Sequence, residues 1–387
     1  IAGAQAAAAN VSITDVVNTQ GMQSGAAMVA DASGKIRIVA QNDVAITGTV
    51  AADGAAGRKA GDVNVTAFGN ITLSGDGSVS ARGRGADSDG GTVMIYAHRD
   101  TMLADRAKVD VRGGEISGHG GFAEFSAKQT VRLIGGALEA GATRGRAGTV
   151  FIDPTDLVIS NADTPSSRLS GGGNLIFQAD ETLTVAAGTL VSTRNIGAAT
   201  DHDGGLSAGA SGNLTFIAPS ITVGNGAQLF AHGNNGFQGG TVTFTATRGD
   251  GGTASIALGA ATIKGHAVVA NATATLTDNA FVLANGDAAA RIDVNGTAIT
   301  AGAGGVALNA VSTVTAATNT NIPLGIITAG SNAAVDVRGG TQIASGGVVS
   351  LGAASTVTAN ATVDSPISGN LPGDAAVALA LADLAPY

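Results

Sequence analysis

The chain has 387 residues and a formal net charge of −9, with 59 glycines, no cysteine and no tryptophan. Charged residues make up only 13% and aromatic residues 3%, whereas disordered chains are rich in charge and poor in apolar side chains. The absence of cysteine excludes disulfide scaffolds and thiolate metal sites. Small apolar residues, β-branched residues and glycine therefore predict an all-β protein with a narrow core and many turns.

The distribution of charge and hydropathy limits the classes of partner that the chain can have. Residues 1–150 hold 14 basic and 14 acidic residues, whereas residues 151–387 hold 6 and 15. The lack of a basic surplus argues against a nucleic-acid partner. No apolar run reaches the roughly 18 residues that a membrane-spanning helix needs, so the chain is not expected to be an integral membrane protein. It begins at Ile1 without an export signal, which is typical of a processed or partial chain.

A repeat is the strongest signal in the sequence. Over the first two thirds of the chain, the pattern Gly-x-apolar-x-apolar-x-small occurs eight times, at spacings of 27, 30, 30, 27, 25, 39 and 28 residues. Glycine at the start of each unit is expected to supply a backbone conformation that a Cβ atom would resist. The units begin at Gly34, Gly61, Gly91, Gly121, Gly148, Gly173, Gly212 and Gly240.

Each unit contains three short strands. In the unit that begins at Gly61, apolar and polar residues alternate over 63–65, 71–73 and 79–81, with turns between them. About 30 residues are too few for a propeller blade, and no helical half is present as in leucine-rich or ankyrin repeats. The pattern predicts a right-handed parallel β-helix with three-strand coils of about 25–30 residues.

Stacked coils place equivalent side chains above one another, because neighbouring strands lie about 4.8 Å apart. One apolar position in each unit is therefore expected to form a buried column along the axis. Its members are Val65, Ile95, Phe125, Ile152, Phe177, Phe216 and Phe244. The outward positions of the strands are mostly threonine, serine, asparagine and valine.

Four regions are predicted. Residues 1–33 form an irregular, capping or contact segment that includes a strand near Val11, and residues 34–266 form the regular coils. The pattern is looser over 267–370, where less regular coils are expected, and residues 371–387 form a C-terminal cap or donated segment. The chain would make about 12–13 coils and a rod of roughly 60 Å.

The C-terminal segment allows three structures. Large and small apolar residues alternate over residues 376–382. The segment can form a short helix with Asp374 as N-cap that plugs the last coil, one more strand of the solenoid, or a strand donated to a neighbouring chain. Exposed edges at the two ends of a solenoid favour pairing with another chain, so end-to-end self-association is expected.

Several short motifs were weighed, and none is assigned as a catalytic, cofactor-binding or metal-binding residue. Arg248-Gly249-Asp250 is an integrin-type tripeptide that also arises by chance in a glycine-rich chain. Asp201-His202-Asp203 could hold a divalent metal, but it is more typical of a solvated loop tip. Asp153 and Asp156 flank a proline in one turn, whereas paired catalytic carboxylates need neighbouring coils. The chain is therefore not expected to be an enzyme or to carry a cofactor. The remaining histidines fall at predicted turns: His98, His119, His232 and His266.

One stretch carries a family resemblance. Gly148–Ser160, which reads GTVFIDPTDLVIS, resembles a recurrent segment of filamentous-haemagglutinin-like exoproteins, and the N-I-T-L-S and S-V-S-A-R-G strands near Ile71 and Val79 are similar in style. The resemblance covers roughly residues 34–266. It implies a large right-handed β-helix that a partner pore exports through the outer membrane of a Gram-negative bacterium (two-partner secretion). The Asn-Pro-Asn motif of the family's secretion domain does not occur in this sequence.

These observations lead to one functional expectation and two alternatives. The expectation is a secreted structural or adhesive β-solenoid of the bacterial surface, with possible end-to-end assembly into a filament and a host or surface glycan as a possible partner. The first alternative is a carbohydrate-binding or carbohydrate-active β-helix, which exposed aromatic residues or stacked acidic residues in a groove would favour. The second is the passenger domain of an autotransporter.

Overall fold

The structure is a computed structural model, and the residues that it describes are all-β, with strands and turns but no helix. Consequently no helix in this part of the chain is long and apolar enough to span a membrane. The described residues are 9–13, 16–18, 27–30, 34–160, 169–170, 172–193, 211–233, 239–280, 283–320, 324–363 and 377–384.

The strands are short up to about residue 260 and long beyond it. The first twenty-one are β1 (Ala9–Ile13), β2 (Val16–Asn18), β3 (Ala27–Ala30), β4 (Lys35–Ala40), β5 (Val44–Ile46), β6 (Thr49–Gly54), β7 (Asp62–Ala67), β8 (Ile71–Leu73), β9 (Ser78–Ser80), β10 (Thr92–Ala97), β11 (Thr101–Leu103), β12 (Lys108–Asp110), β13 (Phe122–Ala127), β14 (Thr130–Leu133), β15 (Ala137–Glu139), β16 (Thr149–Ile152), β17 (Asp156–Ile159), β18 (Leu169–Ser170), β19 (Asn174–Gln178), β20 (Thr182–Val185) and β21 (Leu190–Ser192). The others are β22 (Leu214–Ile217), β23 (Ser220–Val223), β24 (Gln228–Phe230), β25 (Thr241–Arg248), β26 (Gly252–Leu258), β27 (Thr262–Ala280), β28 (Leu283–Asn295), β29 (Ala298–Thr320), β30 (Leu324–Arg338), β31 (Gln342–Ser345), β32 (Val349–Val363) and β33 (Val377–Leu384).

The strands from β4 onward form a parallel β-helix, as the repeat predicts. Each early coil contributes one strand to each of three faces, in the order β4, β5, β6, then β7, β8, β9, and so on. We call these the first, second and third face. The pairings that link successive coils from β4 onward are all parallel; β10, for example, lies between β7 and β13. A right-handed path is the general rule for parallel connections of this kind.

The repeated glycine is required by space more than by backbone conformation. Of the eight glycines that begin the units, only Gly34 has a left-handed φ, of 82°. At Gly91, an added Cβ atom would overlap the carbonyl oxygen of Gly61, and at Gly121 it would overlap that of Gly91. Each coil therefore rests on the backbone of the one before it, and this close approach explains why the glycine recurs.

The predicted inward column is confirmed. Its seven members, from Val65 to Phe244, are completely buried. The register aligns Val65 with Ile95 and Ile95 with Phe125. Towards the middle of the chain the rings of Phe177 and Phe216 stack with centroids 5.4 Å apart, and those of Phe216 and Phe244 with centroids 5.0 Å apart.

Polar side chains at the turn between the first and second faces form a second ladder. Asp43 Oδ1 accepts a hydrogen bond from the backbone N–H of Asn70 at 2.7 Å, and Asn70 Oδ1 accepts one from Asp100 N–H at 3.2 Å. Asp100 Oδ1 in turn accepts one from Thr130 N–H at 3.2 Å. Short Asx side chains thus satisfy backbone donors that the corners leave unpaired.

The N-terminal segment covers the first coil with strands that run the other way. β1, β2 and β3 pair antiparallel with β6, β5 and β4, respectively. The chain thus circles the end of the solenoid once in reverse before the parallel coils begin. This arrangement occupies the backbone edge that the first coil would otherwise expose.

The later coils lose one corner. β27 pairs with the third-face strand β24 over residues 262–264 and with the first-face strand β25 over residues 267–274. Its pairing with β29 shifts register between Gly265 and Ala267, where the corner would otherwise lie. The third and first faces thus join in one long strand. β29 likewise runs through both faces and pairs with β31 on the third face and with β32 on the first.

The described residues form eleven parallel coils, against an expectation of about 12–13 for the whole chain. The second-face sheet has 12 strands, and one of them, β2, precedes the coils. The later coils are longer than 25–30 residues: Asn309 hydrogen-bonds Asn271, 38 residues earlier, and Thr297 N–H donates to the Thr341 hydroxyl, 44 residues later. Long strands consume more chain per coil, so fewer coils are made.

The C-terminal segment forms one more strand of the solenoid, which is the second of the three structures considered for it. Residues 377–384 form strand β33, which pairs in parallel with β30 of the same chain from Leu324 to Ser331. The segment therefore extends the second face by one more strand.

The close approach of successive coils predicts the effect of adding a methyl group to the glycine column. Gly91→Ala should destabilise the protein by about 3 kcal/mol or more, because the new Cβ atom meets backbone of the preceding coil. Gly249→Ala is the matched control, since its Cβ would meet only Thr275 Oγ1 at 3.9 Å. Guanidinium unfolding followed by far-ultraviolet circular dichroism measures both. Equal stability of the two variants would contradict the account.

Candidate functional site

The sequence motifs that fall within the described residues do not assemble into a site. The Arg248 Nε–H donates to Asp250 Oδ1 at 2.9 Å, so the two charged groups of the tripeptide bind each other. Residues 201–203 lie outside the described residues. Among the described residues, no group of three or more histidine and acidic side chains is arranged to hold a metal ion. His98 stacks on Phe68 with ring centroids 4.4 Å apart, and His119 Nδ1 accepts a hydrogen bond from Arg146 N–H.

The first face carries an apolar patch that sequence patterning did not single out. We call Met94, Tyr96, Phe122, Phe151 and Ile176 the first-face patch. They occupy outward positions on four successive coils, strands β10, β13, β16 and β19. Met94 is 39% exposed and Phe122 is 38% exposed, and the other three are partly exposed. Large apolar side chains thus stand among the threonine, serine, asparagine and valine residues that occupy most outward positions.

Two carboxylates lie within this patch. Glu124 is placed between Met94 on the coil before and Phe151 on the coil after. Asp153 follows directly after strand β16, and its backbone N–H donates to Ser126 Oγ at 3.2 Å. Glu124 and Asp153 thus belong to neighbouring coils. Asp153 lies two residues beyond Phe151, the residue that is aligned with Glu124.

The surroundings of both carboxylates disfavour their charged forms. Partial burial raises the pKa of Glu124; a hydrogen bond with Ser126 opposes this effect, and the charge of Asp153 adds to it. Burial and the charge of Asp180 on the next coil raise the pKa of Asp153, and a hydrogen bond with Gln178 opposes them. Within the described residues, no lysine or arginine forms an ion pair with either group. These carboxylates therefore sit beside like charges and apolar surface without a compensating cation.

Within its own turn Asp153 has only Asp156 as an acidic neighbour, so patterns inside one coil do not reveal that Glu124 lies near it. The signal was present in the glycine spacing. Glu124 is three residues after Gly121, and Phe151 is three residues after Gly148. Aligning the units on their glycines places Glu124 beneath Phe151 and next to Asp153.

A second charged group lies on the third face. Asp110 and Glu139 are aligned on adjacent strands, β12 and β15. The Arg112 guanidinium lies between them, with Nη2 2.7 Å from Asp110 Oδ2 and 2.8 Å from Glu139 Oε2. Arg82 Nη1 lies 3.8 Å from Asp110, and Asp53 pairs with Arg84 on the same side. We call this group the third-face ion network.

Burial and pairing act in opposite directions in this network. Burial alone would raise the pKa of Asp110, but Arg112 and then Arg82 hold it below its ordinary value. Burial and the charge of Asp110 raise the pKa of Glu139. A carboxylate pair with divergent pKa values is a pattern of acid–base catalysis. Here, however, Asp110 is completely buried and Arg112 bridges both carboxylates. With Arg82 and the Asp53–Arg84 pair, the network reaches across four successive coils.

Comparisons of this chain with protein-family models, with curated proteins and with solved structures find no match.

The third-face ion network predicts a pH-dependent stability. Asp110→Asn should cost about 3 kcal/mol at neutral pH, because it removes one partner of a buried ion pair. Since the pKa of Asp110 is lower in the folded state, its stabilisation is present above the unfolded value near 3.8 and is lost as pH falls through the folded value. The cost of the substitution should therefore shrink in acid. Chemical unfolding at several pH values measures this.

Asp76→Asn is the matched control for this experiment. Asp76 also pairs with an arginine, Arg106, but both side chains are more than 70% exposed. Exposed pairs contribute little, so this variant should unfold like the unmodified protein at neutral pH. An Asp110→Asn effect as small as that of the control would contradict a stabilising role for the buried network.

Proposed function

We propose that this protein is a secreted structural and adhesive β-solenoid of a bacterial surface, of the filamentous-haemagglutinin-like kind that its sequence resembles. The observation that carries the proposal is the continuous core. Buried residues form one uninterrupted cluster from Ile36 through the inward column to Ala329. Eleven coils at about 4.8 Å each make a rod of about 50 Å, a shape suited to holding surfaces at a distance from a cell.

Export by an outer-membrane partner pore belongs to the same proposal. The absence of cysteine supports it, since an unfolded chain in transit then cannot be crosslinked. The parallel coils support it as well. Each coil needs only the preceding one to pair with, so a chain that emerges from one end can fold progressively.

The last described coil supports assembly of copies end to end. β32 pairs with β29 on one side, and within the described residues no strand pairs with its other side. Leu351 continues the inward column above Leu308, yet Leu351 is 53% exposed whereas Leu308 is completely buried. Val348 and Val349, on the same edge, are 79% and 46% exposed. A second copy that stacked here would bury these side chains and pair the strand edge.

A charge at this edge tests the assembly. Leu351→Lys should weaken self-association at least tenfold, because stacking would then bury an unpaired ammonium group. Thr243→Lys adds the same charge at an outward position of a middle coil and should leave association unchanged. Sedimentation velocity measures the association, and negative-stain images show whether particles lengthen along the rod axis.

Two outcomes would count against end-to-end assembly. One is an unmodified protein that remains a single short rod at all concentrations. The other is an equal effect of the two lysine variants, which would indicate a general response to added charge.

A further inference from the structure

We propose that the first-face patch is a docking surface for a partner protein segment that carries lysine or arginine between apolar residues. The patch is the set Met94, Tyr96, Phe122, Phe151 and Ile176 defined above, with the carboxylates of Glu124 and Asp153 inside it. This surface lies in the middle of the rod, so the inference stands independently of end-to-end assembly.

Charge complementarity identifies the occupant. Glu124 and Asp153 lie on neighbouring coils, and Asp180 follows on the next. On the strands of the first face in the first six coils, basic residues occur only in β4, as Lys35 and Arg37. Arg37 is three coils from Glu124 along the same outward column, or about 14 Å. A cation from a partner would neutralise carboxylates that the chain itself leaves unneutralised.

The aromatic rings suit the same occupant. An ammonium or guanidinium group is attracted to the face of an aromatic ring. Phe151 is aligned with Glu124 on the next coil, and Phe122 lies two residues before Glu124 on the same strand. Tyr96 lies on the preceding coil, two residues beyond the residue aligned with Glu124. The chain already makes one such contact on its third face, where Lys264 Nζ lies 5.7 Å from the centre of the Phe230 ring. Rings and carboxylates together therefore form a surface that recognises organic cations.

The size of the patch favours a protein segment over a small cation. Met94 and Ile176 are three coils apart, about 14 Å along the axis. A small amine would cover only the neighbourhood of Glu124, whereas a peptide could bury the flanking apolar side chains as well. Anionic surfaces such as acidic membranes and nucleic acids would be repelled by the carboxylates.

Binding to the immobilised protein, measured by biolayer interferometry, tests the proposal. The probe is a synthetic Lys-Gly-Leu-Gly repeat peptide, and its counterpart is a Glu-Gly-Leu-Gly repeat peptide. The lysine peptide should bind and the glutamate peptide should not. Binding should weaken as salt is added, because exposed charges are screened.

Variants locate the binding on the rod. The double variant Glu124→Gln with Asp153→Asn should weaken binding about tenfold or more, because it removes both charge-assisted partners. Phe122→Ala should weaken it several-fold without altering charge. Asp62→Asn removes one charge from the same face two coils away and should change affinity less than about twofold. Thermal unfolding of each variant verifies that the coils remain folded.

Three results would overturn the proposal. The first is equal binding of the lysine and glutamate peptides, and the second is an unchanged affinity in the double carboxylate variant. The third is a neutral glycan that binds this face, is lost in Phe122→Ala and is retained in the double carboxylate variant. That last result would instead favour a carbohydrate-binding β-helix.

Discussion

The close approach of successive coils at the repeated glycine is the constraint on which the rest of the structure depends. Where Gly91 rests on Gly61 and Gly121 rests on Gly91, no side chain can separate the backbones. The strands that follow are therefore held in one register, Val65 to Ile95 to Phe125. This register produces the buried column, the stacked phenylalanines and the polar ladder at the turn between the first and second faces. It also fixes which outward side chains become neighbours.

The outward surfaces are consequences of that register and not of local sequence. Glu124 and Asp153 are neighbours because β13 and β16 are in register, and Phe151 lies above Glu124 for the same reason. On the third face, Asp110 and Glu139 meet in the same way, but there Arg112 bridges them. The two clusters thus differ in one respect that decides their roles: the third face supplies its own cations and the first-face patch does not.

Much of the fold could be predicted from the sequence, because glycine spacing and apolar alternation report directly on coil stacking. The column from Val65 to Phe244 was predicted residue by residue and is confirmed. The direction of β1–β3 could not be predicted, since alternation indicates a strand but not which way it runs. The later coils are longer than the repeat predicts, because β27 and β29 pass through the former corner and each coil then takes up more chain. The first-face patch required a comparison between coils that single-strand patterns do not provide.

A distance across several coils tests most directly that one register runs through the molecule. The outward column Asn64, Met94, Glu124, Phe151, Ile176, Thr215 and Thr243 spans six coil steps, and the chain has no native cysteine to interfere with labelling. Spin labels on Asn64→Cys and Thr243→Cys, measured by double electron–electron resonance, should give a narrow distribution consistent with Cα atoms about 29 Å apart. A broad distribution, or a mean separation above about 40 Å, would contradict a continuous stack of coils.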